Sequence, residues 1–345
     1  MKNLLHANSP LRIFAVSGGI TLFGLLAVLW GLGVAALGTT LLLVVIEVVF
    51  SFDNAIVNAK ILGRLSPAWQ RAFLTIGMVI AIFGMRLLLP VVIVSLAAHL
   101  GFGEVWNLAL HHPEEYAKKL EEAHPLISSF GGAFLLLLAL EFFLNGQHQI
   151  VWWGKLERRL KQLRHILLPV IITAIVVCVV ALINTEHRSE ILRAGLFGVA
   201  TFVLIQLGTA LLGRSQPKGK QLAGWAGLGL FMYLQVLDAS FSFDGVIGAF
   251  AITNTVVLIA AGLGIGALWV RSLTVYMVRR GTLDQYVYLE HGAYYTIAVL
   301  AGALLLSLFI DVPDVITGLI GIGIIGSAWA ASVQHRRHKL SLAQK

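Results

Sequence analysis

Residues 47–54 read EVVFSFDN, and residues 238–245 read DASFSFDG. Each stretch has an acidic residue six positions before the aspartate of a Phe-Ser-Phe-Asp motif, so one pattern occurs in both halves of the chain. Both copies lie in strongly apolar surroundings. A carboxylate inside a membrane helix costs at least about 2.5 kcal/mol, so such acids must face protein, water or an ion. The repeated acids therefore mark a candidate functional site.

The composition predicts an all-α integral membrane protein. Of the 345 residues, 58% are hydrophobic and 12% are charged, whereas soluble domains carry about 25% charged residues. A soluble enzyme is excluded on this ground. The formal net charge of +8 comes from short clusters of Lys and Arg between apolar stretches, which indicates membrane topology and excludes nucleic acid as a partner.

The hydropathy predicts about ten transmembrane helices. They lie near residues 12–32, 36–62, 72–97, 126–145, 166–184, 191–212, 223–250, 254–278, 291–310 and 313–333. With both termini in the cytoplasm, eighteen of the 25 Lys and Arg residues fall in inside segments and four in outside segments, as the positive-inside rule requires. We expect a multi-pass protein of the bacterial cytoplasmic (inner) membrane.

The motif helices run in opposite directions in this topology, which predicts two inverted repeats with a site near the bilayer midplane. The first repeat covers 1–185 and includes an outer-side helical loop near 99–125, the second covers 186–335, and a basic cytoplasmic tail follows at 336–345. The outer loop contains His and Glu residues that could collect metal ions. Our interpretation favours a solvated helix with Glu–Lys pairs.

The side chains of the motif helices predict an oxygen-rich site. Glu47, Ser51 and Asn54 follow one helical stripe, whereas Asp53 lies about 120° around the helix. Either each motif helix presents a broad polar wedge, or it unwinds at Phe-Ser-Phe-Asp, which Gly245 makes easier in the second copy. Such ligands suit Mn²⁺, Ca²⁺ or Mg²⁺. The candidate metal-binding residues are Glu47, Ser51, Asp53, Asn54, Asp238, Ser242 and Asp244.

The stretches EVVFSFDNA and LDASFSFDGVIGAFAI resemble the TerC family of integral membrane proteins, named for tellurium resistance, and more closely a branch labelled as a domain of unknown function. That family is similar to the larger lysine-exporter superfamily in having inverted repeats. The resemblance implies export of metal ions, chiefly manganese, and implies that Glu47, Asp53, Asn54, Asp238 and Asp244 are the substrate ligands. The better-known TerC proteins usually have Ser where this chain has Gly245, and this chain has extra helices.

We therefore expect an exporter of divalent cations that works by alternating access, is not an enzyme, holds no resident cofactor, and has the transported ion and the lipid bilayer as partners. Three alternatives stay open. The acids could form buried ion pairs with Lys60, Arg86 and Arg271 in a scaffold without a substrate. Two membrane-embedded aspartates could form the dyad of an intramembrane aspartyl protease. An amino acid or an oxyanion could be the substrate, which requires the two arginines at the site.

Two further features have weaker interpretations. The GLGIG run at 262–266 is typical of helix packing through small residues. Glu141, and Glu290 with His291, lie near the predicted inner ends of spans, where they are weaker candidates for a role in ion access.

Overall fold

A computed structural model of the protein describes residues 10–145, 150–163, 165–213 and 221–343. The side chains of a few residues within these ranges, among them Phe243 and Asp244, lie outside the description. The described residues form helices and no β-strand. This architecture confirms the predicted all-α class.

The helices group into two compact units, and each unit is built from two separate parts of the chain. Unit 1 comprises Met1–His124 and Leu212–Arg280, and unit 2 comprises Pro125–Leu211 and Gly281–Lys345. Both units therefore contain helices from each of the two predicted repeats. The two units are defined by contacts between helices, whereas the predicted division at residue 185 separates two halves of similar sequence. The two divisions therefore describe different properties of the chain.

Unit 1 contains both acidic motifs. Its helices are α1 (Pro10–Phe50), α2 (Phe52–Leu62), α3 (Pro67–Leu74), α4 (Ile76–Val79), a π-helical segment (Ile80–Leu88), α5 (Leu89–Ala97), α6 (Phe102–His111), α7 (Pro113–Glu122), α12 (Gly224–Phe250) and α13 (Val256–Arg280).

Unit 2 has a similar set of long apolar helices and short amphipathic ones. They are α8 (His124–Leu140), a π-helical segment (Glu141–Asn145), α9 (Gly154–Gln162), α10 (Leu168–Ile183), α11 (Arg188–Gly213), α14 (Thr282–Gln285), α15 (Leu289–Leu306) and α16 (Asp314–Ala343).

Eight helical stretches among the described residues are long and apolar enough to span a membrane. They are Ile13–Phe50, Pro67–Ala97, His124–Asn145, Arg188–Leu211, Gly224–Phe250, Val256–Arg280, Leu289–Leu306 and Val315–His338. The sequence predicts about ten, and two helices account for the difference. One is α1, which joins two predicted spans, and the other is α10, whose 16 residues reach about 24 Å at 1.5 Å per residue.

Helix α1 is too long for a single straight span. Its predominantly apolar stretch of 38 residues would reach about 57 Å, whereas the hydrocarbon core of a bilayer is about 30 Å thick. Gly33 interrupts the helical backbone with φ 86° and ψ −178°, a conformation that glycine adopts without a Cβ clash. The interruption falls where the sequence predicts the boundary between the first two spans.

Helix α13 packs closely on α1 through two glycines one turn apart. A Cβ atom on Gly262 would lie 2.5 Å from Leu43 Cβ, and one on Gly266 would lie 2.5 Å from Cβ and Cγ of Glu47. Small residues at this spacing let two membrane helices approach closely. The GLGIG run therefore has the predicted packing role, and it also sets the position of Glu47.

The segment predicted as the outer loop is helical, as expected. It forms α6 and α7, and α7 carries an exposed pair in which Lys119 Nζ lies 2.8 Å from Glu122 Oε2. Tyr116 and Leu120 on the other face of α7 are buried, and the Tyr116 ring lies 5.7 Å from that of Phe250 on α12. The solvated-helix interpretation therefore holds for one face of α7, whereas its other face packs within unit 1.

Candidate functional site

The two motif helices differ in how they carry the repeated sequence. In the first copy α1 ends at Phe50, Ser51 forms a turn with φ −96° and ψ 16°, and α2 begins at Phe52. Backbone hydrogen bonds of 3.0 and 3.1 Å still link Ser51 to Glu47 and Ala55, so the interruption is one residue long. The second copy lies inside the continuous helix α12. The unwinding that Gly245 was expected to ease is therefore absent there, because the helix hydrogen bonds continue through that position.

Two buried ion pairs hold the leading acid of each motif. Arg86 on the π-helical segment donates to Glu47 Oε1 and also to the carbonyl oxygen of Ala81. The bond to Ala81 comes from the guanidinium group, and Arg86 itself lies in a π-helical segment, a geometry that is frequent at functional sites. The pairing of Glu47 with Arg86 is one that the scaffold alternative predicts.

The second pair joins α12 to α13. Arg271 donates to Asp238 Oδ2 at 2.7 Å and to the carbonyl oxygen of Phe73 at 3.0 Å. Its guanidinium carbon lies 4.3 Å from the centre of the Phe73 ring, which adds a cation–π contact. Arg271 and Asp238 are 3% and 6% exposed, so both charges of the pair are removed from solvent. Lys60, the third base of the scaffold alternative, is exposed at the other end of α2.

The two motifs contact each other in a reciprocal way. Asn54, the last residue of the first motif, donates from Nδ2 to Oδ1 of Asp238, the first residue of the second motif, at 2.9 Å. Gly245, the last residue of the second motif, lies against Glu47, the first residue of the first, since a Cβ on Gly245 would be 3.3 Å from Glu47 Oε2. The two contacts are therefore equivalent, because each joins the last residue of one motif to the first residue of the other.

Asp53 differs from Glu47 and Asp238, because it forms no ion pair with a residue that the structure describes. It is 3% exposed, and its Oδ1 accepts the backbone N–H of Asn54 at 2.8 Å. It stands in the first turn of α2, where unpaired backbone N–H groups and the helix dipole favour a negative charge. Asp53 is therefore a buried acid whose partners are backbone groups.

Several neutral polar atoms around this centre are buried without a hydrogen-bond partner. They are Asn54 Oδ1, Asn58 Oδ1, Ser242 Oγ and both amide atoms of Gln235. Each such atom costs about 1–3 kcal/mol when it is left unsatisfied, so the cluster is suited to a bound ion or to water. Ser51 differs, because its hydroxyl donates to Glu47 Oε1 at 3.1 Å.

Gln235 was not predicted from the sequence. It stands three residues before Asp238 and lies close to Gly77. A Cβ atom on Gly77 would lie 3.2 Å from Gln235 Nε2 and 2.7 Å from Arg271 Nη1. The absence of a side chain at Gly77 therefore makes room for the amide and the guanidinium. The signal in the sequence was the position of a polar residue three residues before an intramembrane acid, a spacing that puts both on one face of a helix.

The described side chains bring most of the predicted site together. All six described candidates lie in unit 1, with Ser51 at the turn between α1 and α2 and the others on α1, α2 and α12: Glu47, Ser51, Asp53, Asn54, Asp238 and Ser242. Asp244 lies on α12, but its side chain is outside the described residues. Among the residues that are described, no three His, Cys, Asp or Glu side chains are grouped closely enough to hold a metal ion.

Unit 2 has a buried acid of its own that the sequence did not reveal. Glu157 on α9 is fully buried and accepts the backbone N–H groups of Trp152 and Trp153 at 3.2 Å and the Tyr295 hydroxyl at 3.1 Å. His291 Nε2 lies 3.4 Å from its carboxylate. Burial raises the pKa of Glu157, but His291 and these donors outweigh it and hold the pKa below its ordinary value of 4.5. This arrangement ties α9 to α15.

Glu141 has neutral partners in the same unit. Its carboxylate accepts Asn145 Nδ2 at 2.9 Å and Gln206 Nε2 at 3.1 Å. These contacts hold the end of the His124–Asn145 helix against α11, and the suggested role of Glu141 in ion access stays a prediction.

Comparison with known proteins gives one family. A family model described as "Protein of unknown function (DUF475)" matches residues 52–339, which is most of the chain and includes the second motif. This agrees with the predicted relation to a branch labelled as a domain of unknown function, whereas the relation to TerC itself stays a prediction. No curated protein and no solved structure matches the chain.

Proposed function

Since this chain belongs to the DUF475 family of proteins of unknown function, we propose that it is a membrane transporter that exports divalent cations by alternating access through the site formed by its two motif helices. Mn²⁺ is the substrate that the resemblance to TerC proteins implies. The observation that carries the proposal is the reciprocal contact of the motifs, in which Asn54 binds Asp238 and Gly245 lies against Glu47.

The reciprocal contacts support an inverted repeat. Two copies of a helix that cross antiparallel about a local two-fold axis place the last residue of each copy against the first residue of the other. The ion pairs follow the same relation, because Glu47 and Asp238 each bind an arginine from their own half of the chain. Such repeats form substrate sites where the two halves meet. Ten spans with both termini in the cytoplasm of a bacterium are part of the proposal.

The charge balance of the motif helices favours a cation over an anion. The two motifs contain four acids, and Arg86 and Arg271 pair with Glu47 and Asp238. With all four acids ionised and Lys60 counted as a third base, the excess is one negative charge. The unsatisfied oxygen atoms of Asn54, Asn58 and Ser242 are neutral ligands of the type that Mn²⁺, Ca²⁺ and Mg²⁺ accept.

The arginines allow the site carboxylates to exchange an arginine partner for a cation. A cation that reaches Glu47 and Asp238 must compete with Arg86 and Arg271 for the same carboxylate oxygens. Each arginine also holds a backbone carbonyl oxygen, so it keeps one hydrogen bond when its carboxylate turns to the ion. Binding and release of the cation then change the packing of α13 and the π-helical segment against the motif helices.

The alternatives receive less support. An anionic substrate needs arginines whose charge is not yet neutralised, but Arg86 and Arg271 both bind carboxylates. An aspartyl protease needs two aspartates that share a proton. Asp238 instead binds Arg271.

The proposal is tested with the purified full chain in proteoliposomes. Uptake of Mn²⁺, Ca²⁺ and Mg²⁺ is followed with a fluorescent indicator for wild type, Asp53→Asn and Asp244→Asn. Both variants are expected to lose transport and Mn²⁺ binding. Asp311→Asn, which changes an exposed acid outside the motifs, is the matched control and is expected to transport normally. Unchanged transport and binding in both motif variants would refute the proposal.

A further inference from the structure

A cavity of about 310 Å³ lies in unit 1 beside the end of the first motif helix. Leu62, the last residue of α2, forms part of its wall, and Arg279, in the last turn of α13, lies on the opposite helix. Arg71 on α3 supplies a second guanidinium. The remaining apolar lining residues are Pro67, Leu74, Val275 and Val278.

The lining combines positive charge with apolar walls. Both arginines are exposed, and none of the described residues that line the cavity is acidic. The amide nitrogen of Gln70, which also lines the cavity, is already used by the carbonyl oxygens of Leu62 and Leu65 at 3.2 and 2.9 Å. A ligand of this cavity therefore meets two guanidinium groups and several aliphatic side chains.

Guanidinium groups match the oxygen atoms of a phosphate, which they bind through paired N–H groups. The cavity lies at the ends of the spanning helices, in the region where a bilayer changes from acyl chains to headgroups. The bias of Lys and Arg along the chain predicts that this end faces the cytoplasm, and basic pockets between helices on that side bind acidic headgroups.

We propose that this cavity binds the phosphate group of an anionic phospholipid, with Arg71 and Arg279 on the phosphate and an acyl chain along Leu74, Val275 and Val278. Free phosphate offers the same oxygen atoms to the arginines, but it leaves the apolar wall uncovered. The bound lipid contacts the end of α2, the helix that begins beside Asp53. The inference does not depend on the transported substrate.

The test is native mass spectrometry of the detergent-purified full chain, titrated separately with phosphatidylglycerol, phosphatidylcholine and inorganic phosphate. Phosphatidylglycerol is expected to bind in preference to both other probes. Each basic residue contributes about fivefold in affinity for acidic lipid, so the double variant Arg71→Gln/Arg279→Gln is expected to bind about 30-fold more weakly. Val278→Trp, which fills the cavity without changing a charge, is expected to weaken binding as well.

The matched control is Arg64→Gln/Arg280→Gln, which removes two exposed arginines outside the cavity lining. It is expected to bind phosphatidylglycerol within about twofold of wild type. An equal loss in the control and in the cavity variant would mean that binding follows general basic charge, and the proposed site would be wrong. Inorganic phosphate that binds as tightly as phosphatidylglycerol would overturn the part of the proposal that concerns lipid.

Discussion

Replacement of Asp238 by asparagine separates the structural role of its ion pair from a role in transport. The change leaves Arg271 buried at 3% exposure without its counter-charge, while an asparagine oxygen can still accept the hydrogen bond from Asn54. Removing one partner of a buried pair costs about 3–5 kcal/mol. We expect Asp238→Asn and Arg271→Gln each to lower the free energy of unfolding by about this amount.

The double variant Asp238→Asn/Arg271→Gln removes both buried charges, so we expect it to recover at least about 2 kcal/mol relative to either single variant. The free energy of unfolding is measured by equilibrium titration with sodium dodecyl sulfate in mixed micelles, and Mn²⁺ uptake is measured in proteoliposomes. If Asp238 is a substrate ligand, the double variant regains stability but not transport. A double variant as unstable as the single variants would refute the expected cost of leaving one buried charge unpaired. Recovery of transport together with stability would show that the ion pair has only a structural role.

Three further predictions concern single positions. Asp53→Asn is expected to reduce Mn²⁺ uptake at least about tenfold and to change the free energy of unfolding by less than about 1 kcal/mol, because no described residue pairs with this acid and asparagine keeps the backbone hydrogen bond. Gly266→Ala places a Cβ 2.5 Å from two carbons of Glu47, where about 3.5–4.0 Å is normal, so overpacking should destabilise the protein by about 1–3 kcal/mol. Gly18→Ala, with no atom within 4 Å of the new Cβ, should stabilise the protein by up to about 1 kcal/mol because alanine favours the helix, and an equal destabilisation by both changes would contradict the close packing. The pKa of Glu157 is held below 4.5, so its stabilising effect is present above that pH and is lost as the pH falls through the lowered pKa. The thermal unfolding temperature should therefore fall below pH 4.5 in wild type and less steeply in Glu157→Gln, and identical pH profiles would contradict this role.

The membrane class and the meeting of the two motifs could be predicted from the sequence because both depend on local pattern. Low charge and long apolar runs require lipid, whatever the tertiary packing. The identical spacing of acids in two helices of opposite direction predicted a shared centre, and the hydrogen bond from Asn54 to Asp238 agrees with it. The glycines of the GLGIG run were predicted as packing residues for the same reason.

The remaining features depend on contacts between distant parts of the chain. Glu157 belongs to a charged amphipathic helix that reads as solvated, and its burial requires Tyr295 and His291 from another helix. Arg86 and Arg271 were visible as intramembrane bases, but the assignment of each to one acid follows from the packing of their helices. Eight stretches rather than ten meet the length and composition of a span, because α10 is short and because α1 runs through two predicted spans with an interruption at Gly33.

The reciprocal contact of the motifs also has an evolutionary consequence. Because Asn54 binds Asp238, and Gly245 lies against Glu47, a substitution at the last position of one motif acts on the first acid of the other. We therefore expect selection to couple these residues, although they are far apart in the gene. Homologous sequences should show correlated changes between positions 54 and 238 and between positions 47 and 245, so that the two halves diverge as a matched pair.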